Sequence, residues 1–294
     1  MRILLIGKNG QFGWELQRQL EQRYRVFALG REDIDLQSSA IDLKKALRHP
    51  QYDLIINAAA YTKVDMAEKE KELAFKINAE VPHTLAAEAA RRGIPIIHFS
   101  TDYVFDGKKP YPYREDHAAM PLNVYGASKY AGEQNIQQTA EKHYILRLSC
   151  LFGLRGNNFF QTVIRKHSAN ETFNVVQDQY TMPTWTVLAG EAVMNVVNRL
   201  ESDNWAQWGV YHLAGKGAID WYSFAQTVYT YLNKRHNTDR KVIPTITEKY
   251  DTTAQRPMAP TLDSTKFNKA FNYTLPHWSE QLELLWKTWE DSNE

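Results

Sequence analysis

The 294-residue chain has a single cysteine, Cys150, so no disulfide can form within it. That suits a reducing compartment. An excess of one charge is also missing: 35 Lys and Arg face 34 Asp and Glu, for a net charge of +1. Such a balance gives no field to hold a polyanion, which argues against a nucleic-acid partner and leaves only a local basic pocket for one phosphorylated ligand. No apolar run approaches the ~20 residues of a membrane span. The opening Ile3-Leu4-Leu5-Ile6 is too short for the core of a secretory signal. The expectation is a cytoplasmic protein with no membrane partner. Its length and 43% hydrophobic content allow one large core and a second, smaller one.

What is present is alternation. Ile3 to Ile6 reads as a strand buried on both faces, and Gln11 to Gln22 as a helix with Phe12, Leu16 and Leu20 on one side. Arg25 to Leu29 reads as a second strand. Ser38 or Ser39 can cap a helix running to Leu47, and Leu54-Ile55-Ile56 is a third strand. One long helix is expected from Lys69 to Arg92, ended by Gly93, then a strand from Pro95 to Ser100. A long connection from Asp106 to Asn123 reads equally as functional or as a surface excursion. A helix from about Asn123 to Thr139 and a strand from Tyr144 to Leu148 follow, and later a strand at Val210 to Leu213 and a helix from Trp221 to Leu232. This predicts an α/β chain: a Rossmann-like, doubly wound parallel sheet with a smaller α/β substrate-binding lobe. The expected division is a dinucleotide-binding domain over 1–150 and mainly a substrate lobe over 151–294, with part of the chain returning to the sheet.

Between the first strand and first helix stand Gly7, Gly10 and Gly13, spaced Gly-x-x-Gly-x-x-Gly. Glycines there allow a tight turn and close approach of a pyrophosphate to the backbone, while the helix start offers unpaired N–H groups. An acidic residue at the end of the second strand would bond the adenosine ribose; an arginine would accept a 2′-phosphate. Here Leu29 is followed by Gly30 and Arg31, so NADPH is expected over NADH, with Glu32 and Asp33 close enough to keep NADH open.

Tyr125-Gly126-Ala127-Ser128-Lys129 places a phenol and an ammonium one helical turn apart. A free phenol, with a pKa of ~10, is a poor acid at neutral pH. A neighbouring cation stabilises its phenolate and eases proton donation. Alone, Tyr-x-x-x-Lys would read as a solvated helix face. Two further segments change that. Ser100-Thr101-Asp102-Tyr103-Val104-Phe105 ends the fourth strand, where ligands of open α/β sheets bind, so Thr101 can aim a hydroxyl into the cleft. Asn57-Ala58-Ala59-Ala60-Tyr61-Thr62 ends the third, with side chains small enough for a cofactor to lie against the backbone.

In order along the chain, these segments resemble the extended short-chain dehydrogenases and, among them, the dTDP-4-dehydrorhamnose reductases. The likeness continues through Val64-Asp65, Ala67-Glu68, Pro121-Leu122-Asn123, Gly156-Asn157-Asn158-Phe159, Asp178-Gln179-Tyr180, Pro183-Thr184 and Arg256-Pro257. It implies NADPH-dependent reduction of the C4 ketone of a dTDP-linked 6-deoxy sugar. It implies Thr101, Tyr125 and Lys129 as catalytic residues. Gly7, Gly10, Gln11, Phe12, Gly13, Arg31, Asp35, Leu36, Ala59, Ala60, Tyr61 and Thr62 would contact the cofactor, with Tyr125 and Lys129. Val64, Thr101, Asp102, Tyr125, Cys150 and Arg256 would line the nucleotide-sugar site.

Three departures from the family pattern fall on the substrate side. Cys150 stands where tryptophan is common, Thr181-Met182 replaces Gly-Ala, and Ala259-Pro260 follows Arg256-Pro257 in place of Asn-Ser. Cys150 is expected as an inert packing residue, with contact in a reshaped pocket as the other option. The departures keep open a reductase or epimerase acting on another nucleotide-linked keto-deoxysugar. A dinucleotide-binding regulatory subunit without catalysis is a further alternative, opposed by the retained Thr101, Tyr125 and Lys129. Some relatives hold a divalent cation such as magnesium at a homodimer interface through glutamates. Glu15 matches one such position and Glu191 is a candidate for another, but both are expected as exposed helical glutamates and no metal ligand is assigned. A homodimer stays open as a partner state.

Overall fold

The computed structural model describes residues 1–38, 47, 51–202 and 207–291. At its centre lies a six-stranded parallel sheet built from β1 (Arg2–Ile6), β2 (Arg25–Leu29), β3 (Leu54–Asn57), β4 (Ile96–Thr101), β5 (His143–Leu148) and β6 (Gly209–Leu213). Their order across the sheet is β6-β5-β4-β3-β1-β2. Because β2 and β3 lie on opposite sides of β1, the winding reverses there, and the carboxyl ends of β1 and β3 open a crevice.

Both faces of the sheet are covered, which is why its strands read as continuous apolar runs. Ile3 and Leu5 of β1 face one core, with Phe12, Leu16 and Leu20 of helix α1 (Gln11–Leu20). Leu4 and Ile6 face the other, with Val81, Leu85, Ala86 and Ala89 of α2 (Val81–Arg92) and Ile136 of α3 (Val124–Thr139). The period-two alternation of β1 thus feeds two separate cores. Helix α4 (Thr186–Ser202) adds Ala189, Val193, Val196 and Val197 to the first.

A third core explains the tryptophan-rich second half. Phe152, Phe160, Trp185, Phe224, Val228 and Trp286 pack together around helices Phe159–Ser168, Trp221–His236 and Trp278–Asp291 and the parallel strand pair Phe173–Val176 with Val242–Thr245. Strand β6 comes from this half of the chain but pairs in parallel with β5 in the main sheet.

One expected element differs. The single helix over Lys69 to Arg92 is a helix at Lys71–Phe75, a π-helical turn at Lys76–Glu80, and then α2, ended by left-handed Gly93 at φ +69°. The wider turn brings Asn78 inward, fully buried, where its Oδ1 accepts from Tyr61 N at 2.8 Å and its Nδ2 donates to Tyr61 O at 3.0 Å and to Ser128 Oγ at 3.0 Å. Side-chain bonding to distant backbone replaced regular helical winding there. The helix expected from Ser38 or Ser39 to Leu47 falls mostly outside the described residues. The long connection after Asp106 is pinned to the chain's last quarter: Tyr113 N donates to Thr261 O at 2.7 Å, and Asp263 N to Tyr113 O at 2.8 Å. Among the described residues, no helix is long and apolar enough to cross a membrane.

Candidate active site

The turn after β1 is built for glycine. Gly7 holds φ +96°, and a Cβ on it would sit 2.6 Å from Ala59 N. A Cβ on Gly13 would meet Gly7 O at 2.0 Å, so α1 can start this close to the strand only with glycine there. Gly10 caps α1 without a side chain, leaving the first N–H groups of the helix available to an anion. The cleft beside them is lined by Lys8, Asn9, Gln11, Trp14 and Arg155. Arg155 comes from the far half of the chain, its guanidinium 4.0 Å from the centre of the Trp14 ring. Gln11 Nε2 is buried with no protein partner among the described residues. A cradle that any Cβ would fill, an orphaned buried amide and two flanking cations fit the pyrophosphate of a dinucleotide. Phe12 contributes only backbone here: its ring is buried against Phe99, centroids 4.8 Å apart.

At the adenosine end the expected residues are less tightly placed. Arg31 is exposed, with its backbone N–H donating to Asn9 Oδ1 at 2.9 Å. Lys8, not singled out from the sequence, pairs with Asp33 at 2.6 Å and Glu32 at 3.1 Å. Those bonds raise the Lys8 ammonium and lower the Asp33 carboxyl, while the Glu32 carboxyl is lowered first by its own backbone N–H and then by Lys8. Asp35 is exposed and accepts from Gln37 N at 2.9 Å, while Leu36 and Ala59 pack partly buried against the second core. Ala59 N also donates to Asn57 Oδ1 at 3.1 Å, Ala60 is partly buried, and Thr62 is exposed.

The proposed catalytic residues converge where β4 ends and α3 begins. Asn123 caps α3 by accepting from Gly126 N at 2.8 Å, which fixes the first turn carrying Tyr125. A Cβ on Gly126 would lie 2.2 Å from Tyr103 O, so this helix start lies tight against the turn after β4. Burial pushes the Tyr125 phenol up to about 12, while the Thr101 hydroxyl beside it acts in the opposite sense. Lys129 is 2% exposed; its Nζ donates to Phe99 O at 2.6 Å and lies 3.3 Å from His98 Nε2. Burial lowers the ammonium to about 8, against an opposing pull from Glu133.

Asp102 is buried, and burial raises its carboxyl to about 6 although Ser149 Oγ donates to it at 2.7 Å and Thr101 Oγ1 at 3.1 Å. Ser149 Oγ also accepts from Met182 N at 3.3 Å, tying the altered Thr181-Met182 segment to this carboxyl. Cys150 is partly buried at φ +32°, and burial drives its thiol up to about 12, so it is no thiolate at neutral pH. Burial pushes the Tyr103 phenol up, and the Arg256 guanidinium acts in the opposite sense. The Tyr103 ring lies 5.8 Å from that of Tyr125, edge to face. Arg256 also bonds Asp65 at 2.6 Å, and Asp65 accepts from Ala254 N at 3.1 Å, strapping the 254–256 segment to the short helix Val64–Ala67.

One expectation on the metal side is corrected. Glu15 is not an exposed helical glutamate: it is 4% exposed, because Arg18 Nη2 at 2.5 Å and Gln19 Nε2 at 2.6 Å fold over its carboxylate. Glu191 is exposed and accepts from the Tyr273 hydroxyl at 3.1 Å. Sequence reasoning missed His98, Asn78, Ser149, Asp65 and Lys8. For His98 a signal existed: it is a polar side chain in an otherwise apolar, buried strand.

A model of the RmlD substrate binding domain matches residues 1–290. The chain belongs to the RmlD substrate binding domain family. Within this RmlD family it is 37% identical over 288 residues to a protein named dTDP-4-dehydrorhamnose reductase from Sinorhizobium fredii, covering 97% of each chain. It is also 37% identical to the protein of that name from Salmonella typhimurium, over 95% of this chain and 94% of the relative. Among solved structures, the dTDP-4-dehydrorhamnose reductase of Bacillus anthracis in complex with NADP superposes with a TM-score of 0.90 at 33% identity, over 98% of this chain and 99% of that one. The family shares the Rossmann-like α/β fold expected from the sequence.

Proposed function

We propose that this chain reduces the C4 ketone of dTDP-4-dehydro-6-deoxy-L-mannose with NADPH, giving dTDP-L-rhamnose. The observation that carries the reading is a partly buried, protonated phenol, Tyr125, held beside the Thr101 hydroxyl and one turn from buried Lys129, near the glycine cradle's crevice. Full-length similarity to proteins named for that reaction, one solved with NADP, supports the same reading.

When bound, the reduced nicotinamide supplies a hydride to the carbonyl carbon. The chain's own residues do the rest. Gly7, Gly10 and Gly13 with the start of α1 hold the pyrophosphate, and Arg31 with Lys8 meets the adenosine side. Tyr125 holds the proton that the carbonyl oxygen must receive. Its phenol stays protonated through neutral pH, so the donor is loaded before substrate arrives. Thr101 positions that oxygen by a hydrogen bond. A protonated Lys129 stabilises the phenolate left behind. Val64, Asp102, Cys150 and Arg256 border the sugar and its diphosphate.

A cytoplasmic location and a homodimer go with this reading, and light scattering of the purified chain tests the second. Function is tested by following NADPH oxidation with dTDP-4-dehydro-6-deoxy-L-mannose and with GDP- or UDP-linked keto sugars. Turnover on the dTDP sugar above the others is expected. Faster turnover on a different nucleotide would move the chain to another sugar, and binding of NADPH without turnover on any keto sugar would make it a regulatory subunit.

A further inference from the structure

Beneath the proposed catalytic lysine lies a buried polar chain that the reaction does not call for. Asn57, at the end of β3, is 1% exposed, and His98, in the middle of β4, is 0% exposed. Asn57 Nδ2 lies 3.0 Å from His98 Nδ1, and His98 Nε2 lies 3.3 Å from Lys129 Nζ. The three side chains form one line from β3 through β4 to α3.

The direction of that line is fixed at its far end. The backbone N–H of Ala59 donates to Asn57 Oδ1 at 3.1 Å. With its oxygen committed to a donor, Asn57 can turn only its amide N–H toward the histidine. His98 Nδ1 must therefore be the bare, accepting nitrogen, since a proton there would face another N–H. A neutral imidazole then carries its proton on Nε2, the atom facing Lys129. An ammonium has no lone pair to receive that N–H; a neutral amine has one. The amine can accept from His98 Nε2–H, donate to Phe99 O at 2.6 Å, and keep one N–H for the crevice.

We propose that Asn57 and His98 are positioning residues for Lys129, a tautomer lock that presents an N–H to its amine and weakens the lysine's hold on its proton. The proposal rests on the reading of Lys129 given above, as the cation beside Tyr125, and adds what makes that cation release its proton more readily than a free lysine. Among the described residues, the ionisable groups facing Lys129 are His98 from β4 and, from its own helix, Tyr125 one turn back and Glu133 one turn on; Arg147 of β5 bonds Glu133 at 2.9 and 2.7 Å. Glu133 alone favours the ammonium, and it is already shared with Arg147. His98 cannot relieve the conflict by charging, because burial and the neighbouring Lys129 push its own proton affinity well below the usual histidine range. Lowering of Lys129 to about 8 by burial acts in the same direction as the lock.

The test starts with the wild-type chain. Two-dimensional 15N–1H correlation of histidine-labelled protein at pH 7 reports each ring's tautomer without substrate or turnover, so its answer stands whether or not the chain reduces a sugar. His98 is expected as the Nε2–H form; a Nδ1–H ring overturns the proposal. The second arm is Asn57→Asp, which keeps an acceptor for Ala59 N–H but turns a second acceptor toward His98. The ring should switch to Nδ1–H, leaving Nε2 to accept from the lysine ammonium. Lys129, read by the alkaline limb of the kcat/KM profile and by titration of its 15Nζ signal, should then rise by about one unit or more. An unmoved or lowered Lys129 overturns the lock. So does an equal rise in the Asn57→Asp/His98→Phe chain, because a ring that carries no proton cannot relay and the shift would then be charge alone.

Discussion

Helix α3 borders two buried ionic regions that are treated in opposite ways. Toward the middle of β5, Glu133 is fully buried and Arg147 nearly so, but the pair is bidentate at 2.9 and 2.7 Å. His212 Nε2 sits 3.3 Å from Arg147 Nη1, and the Phe105 ring centre lies 5.0 Å from the guanidinium. At the carboxyl end of β4, one turn earlier along the helix, the partners among the described residues are hydroxyl and backbone groups for Asp102 and a carbonyl and an imidazole for Lys129. Burial therefore shifts both toward neutrality, Asp102 up to about 6 and Lys129 down to about 8. The comparison teaches where stability was given up. Two opposite charges that satisfy each other hold helix to sheet; two that are kept apart, each short of a counter-charge, stay ready to exchange protons.

The largest expected effect breaks the chemistry and spares the fold. Tyr125→Phe removes the proton donor and should lower kcat by ~10²–10⁴. Its melting temperature should stay near wild type, since the ring contact with Tyr103 remains possible for phenylalanine. Turnover near wild type with cofactor bound would remove Tyr125 from the mechanism. The converse variant breaks the fold and spares the chemistry. Glu133→Gln leaves Arg147 buried without its counter-charge, at about 3–5 kcal/mol of stability by denaturant unfolding. Activity per folded molecule should change far less at neutral pH and below, while losing the pull of Glu133 should let Lys129 release its proton at lower pH. A loss below about 1 kcal/mol would mean that the paired region is no more than a surface bridge in effect.

A third variant sharpens the comparison through pH. The folded-state carboxyl of Asp102 binds its proton more tightly than the unfolded one, about 6 against 3.8. Its contribution to stability is therefore full below 3.8 and is lost as pH rises from there through 6. Two units correspond to about 3 kcal/mol. Asp102→Asn removes this titration, so its stability relative to wild type should improve by about that amount between pH 4 and pH 7. A constant difference across that range would mean that Asp102 is not held in a desolvated state.

Legibility in the sequence divided along the same line. The first half was readable because its signals are local: Gly7, Gly10 and Gly13 follow a strand directly, and β1, β2 and β3 announce themselves as short apolar runs. Tyr125 and Lys129 were paired by a four-residue spacing on one helix, and the structure keeps both on α3. Asn78, by contrast, acts across the fold on Tyr61 and Ser128, and the π-turn that lets it do so carries no spacing signal. Ser149, Asp65 and Lys8 gain their roles from partners 47, 191 and 25 or so residues away along the chain. Glu15 misled for a related reason. A glutamate on a helix is exposed unless neighbours cover it, and here Arg18 and Gln19, one turn on, do so.

The smallest expected effect concerns an ion pair that stands beside the site but open to water. Arg256 and Asp65 meet at 2.6 Å with side chains 27% and 41% exposed. Exposed pairs contribute roughly 0–1 kcal/mol, so Asp65→Asn should barely alter stability, unlike Glu133→Gln. Its effect should fall on the substrate instead. Asp65 holds both Arg256 and the backbone of Ala254, and the Arg256 guanidinium opposes the upward push of burial on the Tyr103 phenol. Loosening that strap should raise KM for the nucleotide sugar while leaving kcat and the KM for NADPH close to wild type. If kcat falls and the sugar KM does not, the strap positions the reacting groups themselves, and the divide between a stabilising region and a reacting one extends further out than the buried residues suggest.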